Sequence, residues 1–199
     1  MAFVALLDAN VLYPAYLRDA LLRLAEAEIY QVRWSRQILG EMSRNVLKNN
    51  PDLPQESMER LVRNMERAFP DAMVTGHEAL IEGMSNDPKD RHVLAAAVRG
   101  RADVIVTLNV RDFPPGAREP YDVDAQTPDE FLRHQWEIGD PDFLLGVFED
   151  WASHLKSPPL NLEELLARLA RVVPNFGEMA LGAARERAEE RGHGRSQGR

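Results

Sequence analysis

The chain has 199 residues, of which 44% are hydrophobic and 28% charged, and this predicts a folded domain with an appendage rather than a disordered or fibrous chain. Its 24 basic and 32 acidic residues give a formal net charge of -8, which excludes a protein that coats nucleic acid through an overall positive field. It has no cysteine, which excludes disulfides, thiolate zinc sites and a cysteine nucleophile. No apolar run is long enough for a membrane helix and no basic leader opens the chain, so we expect a soluble cytoplasmic protein.

Strand and helix patterns alternate over the first two thirds of the chain. An apolar run at 3–7 ends in a polar turn and predicts a central strand. The patterns that follow are a helix over 13–29, a strand over 31–34, helices over 35–49 and 52–69, a short strand over 71–75, an alanine-rich helix over 91–99 and a strand over 104–107. This alternation predicts an α/β fold in three layers, with a parallel sheet between helices.

The last third of the chain has a different pattern from the first two thirds. Past about Thr127 only helical patterns remain, which predicts a helical extension. From Ala183 the chain is rich in arginine and glutamate and ends in a polar run, so we expect a disordered tail.

Polar side chains follow the predicted strands or begin the next helix, which is where open parallel sheets form their sites. These candidates are Asp8 after the first strand, Glu41 in the helix after the second, Asp90 at the start of the alanine-rich helix, and Asn109 with Asp112 after the strand at 104–107. Carboxylates brought together repel unless a divalent cation lies among them, and hard oxygen ligands favour Mg²⁺ or Mn²⁺. Such an ion suits phosphodiester hydrolysis, because it polarises a phosphoryl oxygen and lowers the pKa of bound water.

Each candidate also has a purely structural interpretation. The acid after the first strand can form an Asx turn with Asn10, and the glutamate can pair with arginines on a solvated helix face. Asp90 can complete a capping box begun by Asp87, and residues 109–112 fit a turn before Pro114. The five histidines show no paired spacing, so we expect them at surface or boundary positions, and we expect the three tryptophans in the core.

Four segments resemble, in order, the motifs of PIN-domain proteins, and more narrowly those of the bacterial VapC-like toxins of toxin-antitoxin systems. They are LLDANVL at 6–12, ILGEMSRNV at 38–46, DPKDRHVLAAAV at 87–98 and VIVTLNVRDFP at 104–114. The resemblance covers roughly residues 3–135 and continues into SPPLNLEELLARLAR at 157–171. It implies a PIN-like nuclease domain over 1–135, a helical extension over 136–182 and a tail over 183–199.

The resemblance also implies a function, that of a Mg²⁺- or Mn²⁺-dependent endoribonuclease whose principal acids are Asp8, Glu41 and Asp90. Many relatives carry an aspartate at the position of Asn109, whose carbonyl can coordinate a metal but adds no negative charge. Asp112 is then expected to supply that charge and to act as a catalytic and metal-binding residue.

Supporting residues and partners follow from the same resemblance. Asn10 and Thr107 are expected to orient the acids, and the residues expected to contact RNA phosphates are Arg44, Lys89, Arg91 and Arg111. The expected partners are an RNA substrate, a cognate antitoxin and a second copy of the chain.

Two other functions remain open. A PIN-fold module that binds protein or RNA without cutting it fits the asparagine at the fourth position. A Mg²⁺ phosphotransfer protein of similar topology fits less well, because its dehalogenase-like form needs an aspartate where this chain has Asn10.

Overall fold

The computed structural model describes residues 3–196, and the side chains of residues 3–190. Its strands are β1 (Val4–Leu7), β2 (Gln31–Ser35), β3 (Met73–Val74), β4 (Val104–Val106) and β5 (Asp124–Gln126). Its helices are α1 (Ala9–Leu12), α2 (Ala15–Glu26), α3 (Arg36–Asn49), α4 (Gln55–Ala68), α5 (Arg91–Arg99), α6 (Pro115–Arg118), α7 (Pro128–Ile138), α8 (Pro141–His154), α9 (Leu162–Leu169) and α10 (Pro174–Ser196). Short 3-10 turns cover Glu78–Gly83, Val110–Asp112 and Glu119–Tyr121.

The strands form one parallel sheet in the order β3-β2-β1-β4-β5. Leu6 pairs with Arg33 on β2 and with Ile105 on β4, so β1 lies at the centre, as its apolar run predicts. Because every pairing is parallel, the carboxyl ends of all the strands meet at one edge of the sheet. That edge is where a site is expected.

Helices pack against this sheet and bury its apolar strands. The side chains of residues 5–7 and 104–106 are fully buried, and α5 buries residues 93–97 against the strands. The small alanines of α5 allow this close approach. The predicted α/β fold with a central parallel sheet is confirmed, and Trp34, Trp136 and Trp151 are all buried as expected.

Local differences from the predicted elements have local causes. The helix expected over 13–29 is divided into α1 and α2, because Pro14 takes an extended conformation before α2. The sequence pattern did not predict strand β5, because the strand is only three residues long and Ala125 is its one buried side chain. Its pairing with β4, a tertiary contact, makes it a strand.

The chain divides into two compact units, Met1–Pro128 and Asp129–Arg199. The boundary predicted from the sequence, after residue 135, lies within α7. In the second unit the Asp129 carboxylate accepts hydrogen bonds from the backbone N–H groups of Asn175 and Phe176, at 3.2 and 2.8 Å, and so caps the start of α10. The Trp136 ring also contacts the Phe176 ring edge-on, with centroids 5.9 Å apart. These contacts join α7 to the helices that follow it.

The segment expected to be a disordered tail begins inside α10, which is helical to Ser196. The expectation of disorder rested on composition, which does not show that this helix packs against other helices. Ala184 is buried, and the Arg187 guanidinium pairs with the Glu149 carboxylate on α8. Residues 197–199 lie outside the described part of the chain. Across residues 3–196, no helix is both long and apolar enough to cross a membrane.

Candidate active site

Asp8 lies at the carboxyl end of β1 and is held by hydrogen bonds to both carboxylate oxygens. The backbone N–H of Ala9 donates to Oδ1 at 2.6 Å, because Asp8 is the N-cap of α1. Both the Asn10 amide and the Thr107 hydroxyl donate to Oδ2 at 2.7 Å. Asp8 is 5% exposed, so these bonds fix one orientation of its carboxylate.

Asn10 and Thr107 also connect the ends of β1 and β4. The Asn10 amide donates to the Thr107 hydroxyl at 3.0 Å, and its Oδ1 accepts from the backbone N–H of Leu108 at 2.9 Å. The structure therefore places both predicted orienting residues against Asp8.

Glu41 projects from α3, and its side chain is about 29% exposed. The Arg44 guanidinium lies 4.0 Å from its carboxylate, and the Gln37 amide approaches it at 3.4 Å. On its buried side, Nε2 of His92 lies 3.2 Å from Glu41 Oε1. The interpretation of Glu41 as a solvated partner of arginine therefore fits its exposed side but not its contact with the buried His92.

Asp90 stands at the N-cap position of α5, but its side chain caps no backbone N–H there. The capping-box interpretation of Asp87 and Asp90 is wrong, because the Asp87 carboxylate accepts from the backbone of Lys89 instead, at 3.1 Å. Oδ2 of Asp90 is buried and accepts no hydrogen bond in the described structure. A buried carboxylate oxygen without a hydrogen-bond donor requires an explanation, and a bound cation is one.

Two residues, Asn109 and Asp112, are candidates for the fourth ligand of the site. Asn109 is exposed, and its backbone N–H donates to the Thr107 hydroxyl at 3.1 Å. Asp112 lies in the 3-10 turn after β4, where its Oδ2 is 3.5 Å from the Lys89 ammonium. The same ammonium is 3.7 Å from Asp90 Oδ2, so Lys89 bridges two of the predicted acids.

The pKa values show that these acids share one electrostatic environment. Burial raises the pKa of Asp8 and the charge of Glu41 raises it further, against the hydrogen bonds from Thr107 and Ala9. Burial, together with the negative charges of Asp8 and Asp112, raises the pKa of Asp90 to about 6, and Lys89 offsets part of this. The fold thus brings the acids of four separate segments close enough to repel one another.

The predicted RNA-contacting residues have different surroundings. Arg44 is exposed and lies 4.0 Å from the Glu41 carboxylate, and Arg111 is exposed and precedes Asp112 in the chain. The half-buried Arg91 donates from Nε to the Asn86 carbonyl at 3.3 Å. Lys89 is exposed as well, but its ammonium is engaged with Asp90 and Asp112.

The acids fit a hard divalent cation in their chemistry and in their repulsion, and the buried Oδ2 of Asp90 offers a ligand atom that accepts no hydrogen bond, although the Lys89 ammonium lies 3.7 Å from it. Within residues 3–196, however, no three aspartate, glutamate or histidine side chains stand where they can hold one ion together. Direct ligation by all the acids therefore requires side-chain rotation or bridging water.

Two histidines were wrongly expected at surface or boundary positions. His77 and His92 are buried, at 3% and 4% exposure. Burial lowers the pKa of His92, the charge of Asp8 raises it, and His77 and Arg44 lower it further. The available signal was the position of His92 two residues after Asp90 in an apolar helix. Of the others, His134 is partly exposed, His154 is exposed, and the side chain of His193 lies outside the described part.

Comparison with known proteins identifies the family. The chain belongs to the PIN-domain family, whose model matches residues 4–111 and so includes β1, α3, α5 and β4. A second family model, described as the VapC50 C-terminal domain, matches residues 128–181 in the second unit.

A curated relative carries the same name. The protein named "Putative ribonuclease VapC50" from Mycobacterium tuberculosis (strain ATCC 25618 / H37Rv) is 42% identical over 112 residues, which cover 55% of this chain. The match spans 64% of that relative's length. No solved structure matches the chain.

Proposed function

We propose that this protein is a divalent-metal-dependent endoribonuclease and the toxin of a type II toxin-antitoxin pair. The observation that carries the proposal is the convergence of Asp8, Glu41 and Asp90 on one edge of the sheet. Burial raises the pKa values of Asp8 and Asp90, and the charge of Glu41 raises that of Asp8 further, as the charge of Asp8 does that of Asp90. Carboxylates this close to one another repel, and a bound divalent cation would relieve that repulsion. The nuclease activity is proposed to lie in the first compact unit, and the helical extension to be the second.

In this proposal Asp8, Glu41 and Asp90 hold Mg²⁺ or Mn²⁺, and Asn109 or Asp112 completes the site. Such an ion would polarise a phosphoryl oxygen and lower the pKa of a bound water, so that a nucleophile would be available near neutral pH. Asn10 and Thr107 keep the Asp8 carboxylate in one orientation, through the hydrogen bonds described above.

RNA binding must be local, because the chain carries a net charge of -8. Arg44, 4.0 Å from the Glu41 carboxylate, and the exposed Arg111, which precedes Asp112 in the chain, are proposed to contact RNA phosphates. Arg91 and Lys89 remain candidates for the same role, although the structure engages both within the protein.

The name of the mycobacterial relative supports ribonuclease activity. The VapC-like family supports a cognate antitoxin as partner, a cytoplasmic location and a homodimer. A net charge of -8 suits an antitoxin that covers the acidic cleft with basic residues.

One alternative has an observation in its favour. A PIN-fold module that binds RNA or protein without cutting it accounts for the uncharged Asn109 and for the lack of a ready-made three-ligand metal site among the described residues. Such a module has no need to bind Mn²⁺.

The test uses a pooled RNA set incubated with the protein in Mg²⁺, in Mn²⁺ and in chelator. We expect cleavage only with metal, and expect Glu41→Gln to reduce its rate by more than about 100-fold, beyond the usual effect of a group that merely supports a ligand. Glu82→Gln, at an exposed position in the 3-10 turn, is the matched control and should cleave like the wild type. Cleavage that persists in chelator, or in Glu41→Gln, would contradict the proposed mechanism.

A second prediction concerns Lys89, whose charge lies between Asp90 and Asp112. Removing it in Lys89→Met raises the negative potential of the site, so Mn²⁺ should bind about 3- to 10-fold more tightly in calorimetry. Lys48→Met, exposed on α3, is the matched control. If Lys89 instead serves RNA, Mn²⁺ affinity will stay unchanged and KM for RNA will rise.

A further inference from the structure

Two buried histidines lie behind the acidic edge of the sheet and have no part in the function proposed so far. His92 is in α5, two residues after Asp90, and His77 directly precedes the 3-10 turn that packs on α5. Neither nitrogen of His77 has a hydrogen-bond partner in the described structure, and neither does Nδ1 of His92. Buried imidazoles without partners are costly, so such residues require an explanation.

The Glu41 carboxylate contacts His92 closely, with Oε1 3.2 Å from Nε2. The ring N–H does not point straight at the carboxylate oxygen in the structure, so the contact is at hydrogen-bond distance without hydrogen-bond alignment. A small turn of the carboxylate would align it. Metal binding would require a similar rotation of the Glu41 carboxylate, because the described acids must rotate or recruit water to share one ion.

Glu41 needs a support of this kind more than Asp8 does. Asp8 has a short side chain held by three hydrogen bonds, whereas Glu41 has a longer side chain with more rotatable bonds. Its other neighbours, Gln37 and Arg44, are exposed and lie at 3.4 and 4.0 Å. His92, at 4% exposure, is the neighbour whose own position is fixed by packing.

We propose that His92 is a positioning residue that holds the Glu41 carboxylate toward Asp8 and Asp90 through the Nε2–H group. The inference rests on the proposed function, because it assigns Glu41 to the metal. It holds for the neutral ring with its proton on Nε2 and equally for the charged ring, since both present a donor there. Helix α5 then contributes twice, by carrying Asp90 and by orienting Glu41.

The test compares His92→Leu, which fills the space without a donor, with His92→Gln, which keeps an N–H donor. We expect His92→Leu to weaken Mn²⁺ binding by about 10- to 100-fold in calorimetry and to lower kcat with KM for RNA unchanged. We expect His92→Gln to recover most of the affinity. His154→Leu, at an exposed histidine of α8, controls for the substitution itself.

A folded His92→Leu that binds Mn²⁺ like the wild type would overturn the inference, as would a His92→Gln that is no better than His92→Leu. If His92→Leu does not fold, nitrogen-15 NMR of the wild type decides the matter. A proton on Nε2, with ring signals that shift when Mg²⁺ is added, supports positioning, and a proton on Nδ1 alone overturns it. A wild type that binds no Mn²⁺ rejects the proposed function itself, whatever the variants do.

Discussion

Asp90→Asn is expected to remove metal-dependent cleavage and, at the same time, to stabilise the metal-free protein at neutral pH. Removing a ligand should cost more than about 100-fold in rate, beyond the range seen for groups that only support ligands. The stabilisation arises because Asp90 is ionised next to other negative charges, which, with burial, raise its pKa to about 6 from an ordinary 3.8. Since the site is open to solvent, which screens these charges, we expect a gain of about 1 kcal/mol.

The pH dependence of this gain has a definite sign. Below about pH 4 Asp90 is protonated in both the folded and the unfolded chain, so wild type and variant should be equally stable. As the pH rises from about 4 to about 6 the unfolded chain loses the proton first, and the wild type loses stability relative to Asp90→Asn. Above pH 6 the difference should stay constant.

Denaturant unfolding in chelator between pH 4 and 8 measures this difference, with Glu82→Gln as the control for loss of an exposed acid. Mn²⁺ should raise the Tm of the wild type and leave that of Asp90→Asn nearly unchanged, because a ligand stabilises only the state that binds it. An Asp90→Asn that is less stable than the wild type at pH 7 would mean that the acids do not repel as described.

Asp8→Asn is expected to abolish cleavage too, but with the opposite effect on stability. The amide that replaces Oδ2 would face the Asn10 amide, a donor against a donor, and reversing it would set a donor against the backbone N–H of Ala9. Asn10 cannot easily turn, since its Oδ1 accepts from Leu108. A buried mismatch of this kind costs about 1–3 kcal/mol, which should exceed the relief from removing one charge.

A swap of the two side chains separates charge from hydrogen bonding at this position. In the double variant Asp8→Asn with Asn10→Asp, the new carboxylate can accept from both the amide and Leu108, so most of the lost stability should return in denaturant unfolding. Cleavage should remain absent, because the carboxylate has left the end of β1. A double variant that stays as unstable as Asp8→Asn would show that the mismatch is not the cause.

Much of the first unit could be predicted from local patterns. The apolar runs of β1 and β4, the alternation of strands with helices and the alanines of α5 each depend on neighbouring residues, and these are the features that local sequence records. The positions of Asp8, Glu41 and Asp90 followed from the general location of sites in parallel sheets. Their roles as metal ligands stay predictions until metal binding is measured.

Other features could not be predicted because they depend on contacts between distant residues. The strand β5 exists through its pairing with β4, and Asp129 was assigned to the first domain although it caps α10. Lys89 was expected to face RNA, and the structure engages its ammonium with Asp112, 23 positions along the chain.

Four features could be inferred from the sequence alone: the fold class, the central strand, the helical last third and the acids that lie at one edge of the sheet. What surrounds those acids depends on the three-dimensional fold. This includes the raised pKa values of Asp8 and Asp90, the burial of His77 and His92, and the contact between His92 and Glu41. The difference arises from the distance over which each property acts. Hydrophobic periodicity depends on residues a few positions apart in the chain. Burial and electrostatic coupling depend on distances in space between residues that are far apart in the chain, and a local pattern does not give those distances.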